Sequence, residues 1–143
     1  MALRGGAEKP AAAPVLVIDS LWAWRVHTSH VSFVQAMGIA LRMKPYQTLL
    51  VGMSHPTTHW MWEELGRHIR GLDGKEPSHK DHLLAQRLIQ QVWDMDEMKH
   101  IANDLAAWGG IVGPAYDGLG LEMTREGAVE LPIGQGSAGG WIL

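Results

Sequence analysis

Four polar residues stand where apolar runs end or are about to begin. Asp19 closes Val15 to Ile18, Ser54 follows Thr48 to Met53, Asp117 follows Ile111 to Tyr116, and Lys99 lies early in a helical pattern leading into that third run. The types suit one kind of chemistry. A carboxylate attacks an electrophile or holds a divalent cation, while a hydroxyl and an ammonium position and neutralise phosphoryl oxygens. In an open parallel α/β sheet, ligands bind at the carboxyl ends of the strands, and helices running back bring their N-termini to the same edge. That rule predicts that Asp19, Ser54, Asp117 and Lys99 share one rim. Lys80 occupies an equivalent first turn and competes with Lys99.

Histidine forms a rival set. His27 and His30, His55 and His59, and His79 and His82 are paired at spacings of three or four. On a helix such a pair presents two imidazoles to one Zn²⁺, although His55-Pro-Thr-Thr-His59 lacks the Glu of a zincin helix. His27-Thr-Ser29 and His55-Pro-Thr57 also imitate the paired motifs of two-histidine phosphoesterases, but each falls near a helix start instead of on a strand. Trp22 and Trp24, and Trp60 and Trp62, flank the expected rim, where they serve as core packing, a hydrophobic lid or a stacking platform for a base.

The elements that position these groups follow from periodicity. Val15 to Ile18 reads as a fully buried strand, and Ser29 to Met43 as a helix with Val31, Val34, Met37 and Leu41 inward. Lys44-Pro45 breaks that helix, and Thr48 to Met53 is the second strand. Pro56 suits the first turn of a second helix, which carries Met61, Leu65 and Ile69 and ends near Gly71. Ser78 to Asp81 and Asp94 to Glu97 resemble capping boxes opening a third and a fourth helix. After Gly109-Gly110 come a third strand (Ile111 to Tyr116), a short helix (Leu119 to Glu126) and a fourth strand (Ala128 to Leu131). The alternation predicts an α/β fold: a small doubly wound, mainly parallel sheet of four or five strands with helices on both faces. Strand one is expected in the centre, flanked by the strands ending in Ser54 and Asp117, and an edge position for it would remove the basis of the shared site.

These residues resemble the haloacid-dehalogenase-like (HAD) superfamily, in a reduced, capless form of the sort found in bacterial and bacteriophage genomes. The similarity spans Val15 to Pro132. VLVID at 15 to 19 is similar to the first motif, LLVGMS at 49 to 54 to the second, Lys99 to the lysine of the third, and AYDG at 115 to 118 to the fourth. The resemblance implies a phosphohydrolase acting on a small phosphorylated metabolite, nucleotide or nucleic-acid end. In it Asp19 is the nucleophile, Ser54 and Lys99 bind the phosphoryl group, and Asp19 and Asp117 ligate Mg²⁺. The family's second Asp, two residues after the nucleophile, is Leu21 here, which predicts slow breakdown of an aspartyl-phosphate. Asp117 has Gly118 where an acidic neighbour is usual, and Pro114 within the third strand suggests an edge or a bulge. A PIN-like metal-dependent nuclease using Glu63 or Glu64, Asp94 and Asp96, and a non-catalytic interaction module that keeps the fold, are the competing readings.

Composition bounds all three. With 143 residues, 46% hydrophobic content, 7 Trp and 8 Met, the chain has enough apolar material for one packed domain, expected over 15–133 between a flexible segment 1–14 and a Gly-rich tail 134–143. There is no cysteine, so neither disulfides nor thiolate chemistry is available. The formal charge of −3 argues against a general nucleic-acid coat, and no apolar run has the length to span a bilayer. A soluble cytoplasmic protein is expected, with a homodimer or a protein partner as further possibilities.

Overall fold

The computed structural model describes residues 15–124 and 127–131, so the expectations for 1–14 and 134–143 lie outside the described residues. The apolar runs form strands β1 (Val15–Asp19), β2 (Gln47–Val51) and β3 (Ile111–Pro114), and the amphipathic stretches form helices α1 (Phe33–Met43), α2 (His59–Ile69), α3 (His82–Trp93) and α4 (Asp96–Trp108). Two further strands, β4 (Leu121–Thr124) and β5 (Gly127–Glu130), close the described chain. Among the described residues no helix is long and apolar enough to cross a membrane.

Helix boundaries follow the caps. Ser32 is extended, its hydroxyl accepts the Gln35 N–H at 3.2 Å, and the Gln35 side-chain carbonyl accepts the Ser32 N–H at 2.9 Å. This reciprocal box starts α1 at Phe33, four residues later than the apolar spacing suggests. Thr58 caps α2 in the same position, with its hydroxyl 3.3 Å from the Met61 N–H, so Pro56 sits in the turn before the helix and not in its first turn. Neither acidic box expected further on forms. Asp81 and Met95 are the residues before α3 and α4 and make no side-chain cap bond. The Asp81 carboxylate instead accepts the Thr58 hydroxyl at 3.2 Å, tying the start of α3 to the start of α2. Gly109, at φ 60, ends α4 in the left-handed conformation that glycine adopts without a steric penalty.

β1, β2 and β3 form one parallel sheet in that spatial order, with Ile18 opposite Leu50 and Thr48 opposite Val112. The order corrects the expected arrangement: β2 is central and β1 has a single strand neighbour among the described residues. It also explains where the helices go. Strands that step across the sheet in chain order, joined by right-handed crossovers, carry all their connections on the same face. Accordingly, residues of all four helices share one core with Leu50 and Val112, including Phe33, Met37, Trp62, Leu65, Val92 and Leu105. Phe33 packs between Trp62 and Trp93, with ring centroids 6.1 Å from each. Burying each such side chain stabilises the fold by about 1.5–3 kcal/mol before chain entropy is counted. On the opposite face Gln47 and Leu49 are buried while Val17 is 59% exposed and Val51 36% exposed, so that face is covered only in part among the described residues.

Within the expected helix from Leu119 to Glu126, Leu121–Thr124 is a strand. Leu121-Glu-Met-Thr124 alternates apolar and polar residues with period two, and β4 pairs antiparallel with β5, Leu121 opposite Glu130, in a separate two-stranded sheet. The last strand is therefore not a fourth member of the parallel sheet.

Candidate functional site

Because β1, β2 and β3 are parallel, the loops after them open at one rim. Two of those loops are zipped together by main-chain bonds, Ser20 N–H to Val51 O at 2.8 Å and Ser54 N–H to Leu21 O at 3.0 Å. The segment after β1 then turns back on itself. Leu21 N–H reaches Val31 O at 3.0 Å and Phe33 N–H reaches Trp22 O at 3.0 Å, so residues ten and eleven positions downstream return to the end of β1.

That return builds the environment of Asp19. One carboxylate oxygen accepts the Val31 N–H at 2.9 Å. His30 Nδ1 lies 3.2 Å from the same oxygen and 3.3 Å from the other. A carboxylate only accepts, so Nδ1 carries a proton, and in the neutral ring that tautomer leaves the lone pair on Nε2. The carboxylate is about one-third exposed and the imidazole somewhat more, which leaves the far side of the ring facing solvent. Gly52 completes the wall. It has φ 76, and a Cβ there would stand 2.6 Å from Asp19 Oδ1, so only glycine lets the chain leave β2 against that carboxylate.

The returning segment carries two further nitrogen-bearing side chains, His27 and Arg25. The His27 ring lies 5.2 Å from the His30 ring, and its Nδ1 accepts the Ser29 N–H at 3.2 Å. The Arg25 guanidinium stacks 4.2 Å over Trp22, which meets Trp24 edge to face at 5.7 Å. The Trp22 and Trp24 pair thus serves as packing and as a platform for a cation.

The other expected site residues are placed as follows. Ser54 shares the rim with Asp19, and its hydroxyl is buried with no hydrogen-bond partner among the described residues. Its carbonyl accepts the Thr57 N–H at 3.2 Å and the Thr57 hydroxyl at 2.8 Å. Asp117 is exposed in a turn closed by Leu119 N–H to Tyr116 O at 3.1 Å, with Gly118 at φ 81. It follows β3, two strand spacings or roughly 10 Å across the sheet from the line of β1. Lys99 and Lys80 are both exposed, and among the described residues neither makes a hydrogen bond or ion pair with Asp19 or Ser54.

These positions test the implied Mg²⁺. Asp19 already accepts from Val31 and His30, Asp117 lies beyond the central strand, and the described residues hold no group of three or more His, Asp or Glu able to hold a metal ion. Asp19 and Asp117 do not form the cation site that the resemblance implies. The nuclease carboxylates are equally dispersed: Glu63 pairs with His59 and Arg67, Glu64 is buried against Arg67, Asp94 ends α3 and Asp96 begins α4. His55 and His59 are not on one helix face either, since α2 begins at His59.

His30, Val31 and Gly52 were not singled out as partners of Asp19 from the sequence. His30 stood out only through its spacing from His27, whereas its actual partner is eleven residues upstream and is reached through the returning loop. Comparison with family models, with curated proteins and with solved structures finds no match.

Proposed function

We propose that this protein hydrolyses phosphoesters of small phosphorylated metabolites, nucleotides or nucleic-acid ends at the rim where Asp19 meets His30. One observation carries the proposal: Asp19 holds His30 by Nδ1 at 3.2 Å and leaves Nε2 free at a solvent-facing rim. This is the arrangement in which a carboxylate fixes the tautomer of a histidine and stabilises the imidazolium that forms when Nε2 takes a proton. A water attacks phosphorus and gives its proton to His30 Nε2. The imidazolium then protonates the departing alkoxide, so one histidine serves both halves of the reaction and no second Asp at position 21 is required. The His27 ring, 5.2 Å from that of His30, adds a second imidazole at this place.

Asp19 acts here by orienting His30, with both oxygens held by N–H donors, and not as a covalent nucleophile. The two routes differ in a measurable way. A chromogenic phosphomonoester and phosphodiester panel should show turnover by the wild type that falls by about 10²- to 10⁴-fold in His30→Gln. Intact mass should show no phosphoryl adduct during turnover. An adduct lost in Asp19→Asn would restore the nucleophile role of the HAD-like reading. Turnover untouched by His30→Gln would remove the dyad, and an inert wild type would leave the rim as a binding surface of an interaction module.

A further inference from the structure

The loop that returns to β1 carries two imidazoles and holds them in opposite tautomers. His30 is oriented from a distance: its Nδ1 lies 3.2 Å from an Asp19 carboxylate oxygen, eleven residues upstream, and there it donates. His27 is oriented locally. Its Nδ1 lies 3.2 Å from the main-chain N–H of Ser29, two residues downstream, and 3.2 Å from the Ser29 hydroxyl. A main-chain N–H only donates, so His27 Nδ1 accepts and the proton of that ring is on Nε2.

The two rings are exposed, with centroids 5.2 Å apart and planes at 60°. Among the described residues no hydrogen bond joins them, and neither Nε2 has a partner. The rim therefore presents a lone pair on His30 beside an N–H on His27. The two atoms are not interchangeable, since one takes a proton and the other gives a hydrogen bond. Hydrogen bonds of about 2.8 Å from both rings to one small group span a separation of this size. Hydrolysis of a phosphoester needs one of each. The attacking water must give up a hydrogen, and a non-bridging oxygen, which gathers negative charge as the water oxygen adds to phosphorus, must receive one. Building on the hydrolysis proposed for this rim, and resting on it, we infer that His27 is the donor to that oxygen: its Nε2–H bonds the phosphoryl group while His30 Nε2 takes the proton of the water. His27 keeps its proton throughout. The proton still passes from water to His30 and from His30 to the departing alkoxide.

Nitrogen NMR of isotope-labelled histidine and the chromogenic phosphoester assay test this on the full chain. The ring signals, assigned by their loss in His27→Gln and His30→Gln, should show the proton on Nε2 of His27 and on Nδ1 of His30. Inorganic phosphate should move the His27 Nε2 signal saturably. His27→Leu should lower kcat/KM by about tenfold or more, the weight of one hydrogen bond to a charged group, and mainly through kcat because the charge on the oxygen grows toward the transition state. His27→Gln should recover most of that loss, since its amide supplies an N–H, whereas His30→Gln stays impaired because an amide is no base. Both positions are exposed, so circular dichroism of the variants should match the wild type. Equal turnover in the wild type and His27→Leu, a His27→Gln variant as impaired as His27→Leu, or a His27 ring with its proton on Nδ1 would each overturn the role of His27 and leave the dyad of Asp19 and His30 standing. An inert wild type that still shows the phosphate shift would overturn hydrolysis and keep His27 as a phosphate donor, and an inert wild type without the shift would overturn both.

Discussion

Gly66 on α2 lies directly against the main-chain carbonyl of Val112 on β3, leaving no space for a Cβ. Backbone meets backbone there, and the approach sets the distance between the main helix of the core and the edge of the sheet. Gly38, on α1, is a glycine of the same helical kind with no atom near the place a Cβ would take.

The pair gives opposite expectations for one substitution. Gly38→Ala should stabilise the protein by about 0.5–1 kcal/mol, the helix-propensity difference. Gly66→Ala should destabilise it by about 1–3 kcal/mol despite the same gain, because α2 must move off β3. Urea unfolding of both variants checks this, and equal effects would show that α2 does not press on β3.

At Gly52 the obstacle is the Asp19 carboxylate of the proposed dyad. Gly52→Ala places a methyl against Asp19 Oδ1 and forces a left-handed conformation on alanine, at about 1–2 kcal/mol. Turnover should drop far more than stability does, since the carboxylate that orients His30 is displaced. A phosphoester assay beside a thermal melt separates the two effects.

Glu64 is the strongest buried polar commitment of α2. Glu64→Ala leaves Arg67 half-buried without its closest carboxylate and frees the Gly74 N–H, and it should destabilise by about 3–5 kcal/mol. A double-mutant cycle with Arg67→Ala should show strong coupling between the two. Additive losses would mean that Glu64 serves the loop alone.

Leu21→Asp separates the two hydrolytic routes. Leu21 bonds Val31 and Ser54 through its main chain and is half-buried, and in the proposed dyad the acid–base chemistry falls to His30. The variant should not gain turnover, and Asp117→Asn should leave turnover unchanged because Asp117 stands two strands away in a turn. A large gain in Leu21→Asp would favour Asp19 as nucleophile.

Ser32→Ala removes the hydroxyl that starts α1 and should destabilise by about 1 kcal/mol, while Ser29→Ala, three residues earlier and outside the helix, should change little. Chemical denaturation of the two variants reads the difference directly.

Local pattern by itself determined the elements whose identity depends on neighbours in the chain. Val15 to Ile18 and Thr48 to Val51 are strands of the length and β-branched, apolar content that the sequence pattern carries, and α2 and α3 are helices because Leu65 and Ile69, or Leu88 and Val92, recur on one face. Leu121 to Thr124 was misread because four residues carry too little periodicity to separate a strand from a helix without the partner strand. Long-range placement was decided only in three dimensions. Nothing local sets whether β3 pairs with β1 or with β2, and its pairing with β2 moved β1 out of the centre, put all four helices in one core and left Asp19 and Asp117 on different sides of the central strand. The pairing of Asp19 with His30 has the same origin. It depends on a loop of ten residues folding back to place Val31 N–H and His30 Nδ1 on one carboxylate, a closure driven by main-chain bonds that no residue type announces.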